Sequence, residues 1–361
     1  MTELLAIGTQ KGLFLATSND DRQSWQVSSA HFAGQAVYSV AFDTRGPAPR
    51  VLAGVDSSHF GPSVAVSDDL GETWQEPDAA PLAFPADAGA TVERVWQIVP
   101  AGADQPGVVY AGTQPSALWR SADGGQTYAL VRGLWDHPHR PDWGAGFGGQ
   151  AVHTILPHPA DPQRILVAMS TGGVYRTGDG GETWAPANDG IKAYFLPDPW
   201  PEFGQCVHKV ARDGGDSERY YAQNHHGVYR STDGGETWQS IADTLPADFG
   251  FAMVAHPSTP GTIWNFPLTS DGERHPVDLM CRVFRSTDAG ATWQPMERGL
   301  PQDRYYPVVL RDAMCADNAT PAGVYFGTRA GDVFASRDEG ENWSTVAAHL
   351  PDVLCVRAVQ I

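Results

Sequence analysis

The chain has 361 residues, 42 acidic against 24 basic, and a formal net charge of −18 at pH 7. That excess repels a nucleic-acid backbone and an anionic membrane surface, so neither is an expected partner. No window is long and apolar enough to span a bilayer, no basic segment precedes an apolar one at the start, and the 4 cysteines lack CxxC spacing, so the expectation is a cytoplasmic protein with reduced, buried thiols.

In chain order, Leu4-Leu5-Ala6-Ile7-Gly8 reads as a strand, and residues 18–25 form a turn that ends on Trp25. The turn returns at 67–74, 121–128, 177–184, 231–238, 286–293 and 336–343, most sharply as Ser231-Thr232-Asp233-Gly234-Gly235-Glu236-Thr237-Trp238. Its pattern, Ser/Thr-x-Asp-x-Gly-x-Thr-Trp, is that of a tight hairpin. The Asp carboxylate accepts from backbone N–H groups of its own turn, Gly supplies positive φ, and the terminal aromatic anchors the turn on the sheet. Each box follows an alternating run such as Gly227-Val228-Tyr229-Arg230, and before that a second run such as Val51-Leu52-Ala53-Gly54 or Val109-Tyr110-Ala111-Gly112.

The closing aromatic recurs every 49 to 56 residues, a period of short strands that reads as propeller blades of four strands each. Seven boxes predict one all-β, seven-bladed β-propeller over residues 1–361. The chain opens on the second strand of a blade, so the missing first strand is expected from Val353-Leu354-Cys355-Val356-Arg357-Ala358-Val359, which would remove both free sheet edges.

These boxes resemble the BNR or Asp-box propellers, a group that includes sialidases, oligoxyloglucan hydrolases, sortilin-like receptors and photosystem assembly factors. The resemblance spans the chain and implies the architecture; the box itself implies no catalytic residue, because in these families it lies on an outer hairpin away from the active mouth. A sialidase activity is not implied. The arginine-led opening motif of those enzymes is missing, and Leu13-Phe14-Leu15 offers no arginine in its place.

A second repeat marks the innermost strands: Gln35-Ala36-Val37-Tyr38, Glu93-Arg94-Val95-Trp96, Gln150-Ala151-Val152-His153 and Gln205-Cys206-Val207-His208, with Phe249-Gly250-Phe251 and Arg304-Tyr305-Tyr306 in the next two places. Long connections at 133–149, 189–204 and 269–279, with Gln223-Asn224-His225-His226, are expected on one mouth, where polar residues that vary from blade to blade are candidates for a ligand site.

His153, His208 and His225 are the candidate metal ligands, and the candidate cofactor is a divalent transition metal. The competing reading is that His153 and His208 are hydrogen-bonded wall residues, or that they do acid–base work without metal, since imidazole titrates near neutrality. Glu93 and Glu202 are the carboxylates placed for glycoside chemistry, although a salt bridge from Glu93 to Arg94 or Arg304 is the structural alternative. Gln150, Gln205 and Asn224 are expected to hydrogen-bond a substrate. Tyr38, Trp96 and Trp143 are expected to stack on it, with Trp143 exposed as part of a lid and Tyr38 and Trp96 open to an alternative role in blade packing. The sequence therefore points to a hydrolase or lyase acting on a small polar or carbohydrate-like ligand; the alternative is a non-catalytic scaffold that binds protein partners.

Overall fold

The computed structural model describes residues 2–57, 61–75, 80–146 and 148–361. The fold is an all-β, seven-bladed β-propeller of four-stranded antiparallel blades. Numbering blades by their innermost strand in chain order, blade 1 starts at Ala36–Asp43, blade 2 at Arg94–Pro100, blade 3 at Val152–Pro157, blade 4 at Val207–Arg212, blade 5 at Phe249–Ala255, blade 6 at Met314–Ala316 and blade 7 at Val353–Gln360. In blade 1 the place of the fourth strand is taken by a bridge between Val66 and Gln75. No helix among the described residues is long and apolar enough to cross a membrane.

The chain divides into two compact units. One comprises Met1–Ala33, Asp189–Pro201 and His208–Ile361; the other comprises Gly34–Asn188 and Glu202–Val207. The first contains the expected closure. Strand Glu3–Thr9 pairs antiparallel with Val353–Gln360, from Glu3 opposite Gln360 to Thr9 opposite Val353, so each terminal strand covers the other's edge. Its core is built from inward-facing residues of blades 5 to 7, among them Trp264, Phe266, Tyr325 and Phe326. In the second unit two apolar clusters, one around Trp119 and Trp135 and one around Trp143 and Tyr175, hold blades 1 to 3.

The repeated box folds as its chemistry dictates. At Asp233, Ser231 Oγ donates to Oδ1 at 2.7 Å, Thr237 N to Oδ1 at 3.0 Å and Thr237 Oγ1 to Oδ2 at 2.6 Å, while Gly235 N donates to Ser231 Oγ at 2.9 Å. The same pattern recurs at Asp69, Asp123, Asp179 and Asp288; Asn342 takes the Thr role at Asp338 and Ser24 takes it at Asp20. Donors from the turn pull the Asp20 and Asp69 carboxyls down to about 2. These acids are therefore fully engaged by their own hairpins.

One innermost strand lies elsewhere than the sequence suggests. Arg304-Tyr305-Tyr306 forms no ladder; the first strand of blade 6 is Met314–Ala316, opposite Phe326 to Val324. Pro307 removes a ladder donor, and Arg304 sits at φ 51°. The intervening stretch instead hands single bonds to its surroundings, such as Arg329 N to Val308 O at 2.9 Å.

Candidate functional site

The predicted residues divide between the units. His208, Asn224 and His225 belong to the first; Tyr38, Glu93, Trp96, Trp143, Gln150, His153, Glu202 and Gln205 belong to the second.

In the first unit the strand that begins blade 4 carries His208, whose ring is 3% exposed and stacks on Phe251 with centroids 4.8 Å apart. Its Nδ1 lies 2.6 Å from Gly250 O, so Nδ1 carries the proton and Nε2 is the basic nitrogen. Burial, reinforced by the charges of Arg311, His225 and Arg274, holds its pKa well below that of ordinary histidine, and the Gly250 bond only partly opposes this. The imidazole is neutral at pH 7. His225 lies across from it, ring centroids 5.5 Å apart, with Nε2 3.2 Å from Asp271 Oδ2. One ring nitrogen of each histidine falls within 4.8 Å of the other's, so this pair could hold a metal ion. Asn224 serves the backbone: its fully buried Nδ2 donates to Lys192 O at 2.8 Å and His226 O at 3.1 Å.

In the second unit the tops of blades 1 and 2 bring together Tyr38, Glu93 and Trp96. The Tyr38 and Trp96 rings are half-buried and tilted, with centroids 5.4 Å apart, and the Arg94 guanidinium lies 4.1 Å over Tyr38. Gln114 ties the group: it accepts from Trp96 Nε1 at 3.2 Å and donates to Glu93 Oε2 at 2.7 Å. Glu93 is exposed and meets Gln114 rather than an arginine. Beside it opens a pocket of about 500 Å³ lined by Phe84, Pro85, Gly89, Thr91, Glu93 and Pro115. Asp56, at the end of the second strand of blade 1, has a carboxyl pKa raised by burial, against which the Arg94 charge pulls.

The remaining predicted residues sit apart from that group. Trp143, expected on an exposed lid, is 5% exposed; its ring packs at the edge of Tyr175, and Nε1 donates to the Tyr175 hydroxyl at 2.9 Å. The apolar residues of blade 3 give a large ring more contact than solvent does, which overrides the glycines around it. Gln150 Nε2 donates to Trp143 O at 2.6 Å and so holds that loop. His153 is fully buried, with Nδ1 3.2 Å from Thr154 Oγ1; Gln205 is fully buried and Glu202 exposed. Phe147, in the glycine-rich run, lies outside the described residues.

Asp56 and Gln114 escaped the sequence reading of this group, and Arg94 entered it only as an ion-pair partner of Glu93. A signal for the first two exists. Counting three residues past the Ala shared by the second strands, Ala53, Ala111 and Ala222, gives Asp56, Gln114 and His225. One position thus carries three different polar side chains.

The hairpins and blades together define a propeller of the BNR/Asp-box kind. The model of the BNR/Asp-box repeat matches residues 229–240. A xyloglucanase of Hypocrea jecorina (strain QM6a) is 26% identical over 278 residues, covering 66% of this chain and 31% of that protein. Among solved structures, an ancestral GH74 enzyme superposes with TM-score 0.58 at 19% identity, over 86% of this chain and 38% of its own. YCF48 bound to D1 peptide superposes with TM-score 0.52 at 16% identity, over 86% and 81%. The chain spans less than a third of the length of the curated relatives it matches, and at these identities the structural likeness is one of fold. The chain is a β-propeller whose sequence is similar to parts of xyloglucanases.

Proposed function

We propose that the chain is a hydrolase acting on a glucan-type carbohydrate, with the sugar seated on Tyr38 and Trp96. The observation that carries this reading is the Tyr38, Trp96, Gln114 and Glu93 assembly beside an open pocket. Half-buried aromatic faces take the C–H faces of a pyranose, and a bridging amide and guanidinium suit its hydroxyls. Asp56, made harder to ionise by burial, gives its proton to the leaving oxygen; exposed Glu93 takes the proton of the incoming water or bonds the sugar carbon directly. The xyloglucanase relatives support xyloglucan as the first substrate to try. Reducing-sugar release from xyloglucan is expected from the native chain and is expected to be lost in Glu93→Gln and Asp56→Asn, while Trp96→Ala weakens oligosaccharide binding measured by calorimetry. Absence of both cleavage and binding in the native chain would reject the reading.

A second reading, a non-catalytic module that binds a protein segment, rests on a different observation. The connection Asp189–Pro201 exposes Tyr194 at 57%, Phe195 at 46% and Trp200 at 52%, and large exposed aromatics gathered on one segment mark interaction surfaces. The peptide-bound YCF48 structure supports it at the level of fold. Under this reading Trp200→Ala removes partner binding and the chain cleaves no glucan.

A further inference from the structure

The connection Asp189–Pro201 uses buried contacts to hold aromatic rings out in water. Ile191 and Ala193 are fully buried, so alternate residues pin its first half to the first unit. Asn224 Nδ2 donates to Lys192 O at 2.8 Å, and Ala193 N donates to Pro199 O at 2.9 Å, which closes residues 193–199 into a turn. Inside the turn Leu196 N donates to Ala193 O at 3.0 Å, and Trp200 N donates to Asp198 Oδ1 at 2.9 Å. Pro197, Pro199 and Pro201 fix φ along the return. On this fixed frame Tyr194, Phe195 and Trp200 stay exposed. Large rings held in solvent mark a docking surface, and a frame already fixed loses little freedom when it binds.

Between two of the rings lies a cation without a counter-charge. Lys192 Nζ is 5.1 Å from the ring centre of Tyr194 and 5.4 Å from that of Trp200, close enough for both π faces to hold it. Its ammonium makes no ion pair or hydrogen bond among the described residues. Asp198, the acid within the turn, is engaged by Trp200 N instead. The three ammonium donors are thus left for whatever docks. The total charge of −18 does not cancel this local preference for an anion, because charges more than about 8 Å apart are largely screened at physiological salt.

We infer that this surface binds an acidic, proline-rich segment of another protein in the polyproline II conformation, with prolines against Tyr194 and Trp200 and a carboxylate on Lys192. The inference rests on the second reading above, the protein-binding module, and names its partner. Two rings that border one ammonium suit successive turns of a polyproline helix, which repeats about every 9 Å. Such a helix is preformed and has no internal hydrogen bonds, so aromatic-lined surfaces take it at low entropic cost. Phe195, its ring centre 5.8 Å from that of His226, extends the apolar surface beyond the pair. A neutral oligosaccharide would also lie on the rings, but it gains nothing from the ammonium charge.

The test is fluorescence anisotropy of the full chain with short labelled peptides of repeating Pro-Pro-Glu, Pro-Pro-Gln, Pro-Pro-Lys and Gly-Gly-Glu, with cellohexaose titrated separately by calorimetry. The Pro-Pro-Glu peptide is expected to bind at least about tenfold tighter than Pro-Pro-Lys or Gly-Gly-Glu, against the sign of the total charge. Tyr194→Ala and Trp200→Ala are each expected to weaken it by about tenfold, as for loss of an aromatic anchor, with Tm unchanged. Lys192→Met is expected to bring Pro-Pro-Glu down to the level of Pro-Pro-Gln and to leave Pro-Pro-Gln as it was. The inference is overturned by Pro-Pro-Glu binding no tighter than Pro-Pro-Lys or Gly-Gly-Glu, by binding undiminished in both ring variants, or by cellohexaose binding that Trp200→Ala abolishes in place of the peptide. If Pro-Pro-Lys or Gly-Gly-Glu binds equally well and is lost in Trp200→Ala, the protein-binding reading stands without the inference; if no peptide binds, both fall.

Discussion

Stability should fall as pH rises from about 4.5 to about 8 through a single side chain at the ring closure, Glu3. It is 3% exposed on the strand that pairs with the C-terminus, and its Oε1 has no partner among the described residues. Asp317, its neighbour, is saturated: Oδ1 accepts from Ala319 N at 2.9 Å and Gly323 N at 2.7 Å, and Oδ2 from the Tyr325 hydroxyl at 2.7 Å and Arg22 Nη1 at 3.1 Å. Burial first, then the Asp317 charge and its hydrogen bond, push Glu3 from 4.5 up to about 8, with Arg22 opposing and Asp21 adding slightly. The folded chain therefore holds a proton that the unfolded chain releases above about 4.5. The stabilisation is complete below that pH, declines at up to about 1.4 kcal/mol per pH unit, and levels off above about 8. Glu3→Gln keeps the neutral hydrogen-bonding shape and removes the titration. Urea unfolding at pH 5, 7 and 9 should show the native chain losing a few kcal/mol more than the variant across that range. Parallel pH profiles for the two chains would refute the assignment.

Three further outcomes follow from single residues. Ala289 holds the left-handed place that Gly234 holds in its box, at φ 59° against 75°, so Ala289→Gly should gain up to about 1 kcal/mol in urea unfolding once the looser unfolded chain is counted. Gly290→Ala, one residue on at φ 88°, should lower Tm sharply, because its new Cβ would sit 2.4 Å from Ile241 Cδ1. Asp312→Asn leaves Lys209 and Arg357 without their buried counter-charge and should cost roughly 3–5 kcal/mol in the same assay.

The fold was legible because the box is a local device. Asp233 contacts nothing beyond residues 231 to 237 in its hydrogen bonds, so seven copies of one short pattern report seven hairpins without knowledge of what they pack on. Pairing of the two terminal strands was legible for a related reason: a chain that starts mid-blade leaves an edge that only its other end can cover. Blade 6 resisted because Arg304-Tyr305-Tyr306 matches the innermost strands in composition while Pro307 removes the ladder bond that a strand there would need. Trp143 was misjudged as exposed because neighbouring glycines and Asp142 report the local backbone, whereas its burial depends on Tyr175, 32 residues away. The aromatic group was half legible. Tyr38, Glu93 and Trp96 stand out as variations on an innermost repeat, but Asp56 and Gln114 emerge only when the second strands are aligned on their shared Ala.

Net charge shows the same limit from the other side. A total of −18 is a sound argument against a polyanion, which must approach over a wide stretch of surface. It says little about a small anion, because charges separated by more than about 8 Å are largely screened at physiological salt. At Lys209 the field is set instead by Asp312 and by Arg357: Lys209 and Arg357 share one carboxylate oxygen of Asp312 although they lie far apart in the sequence.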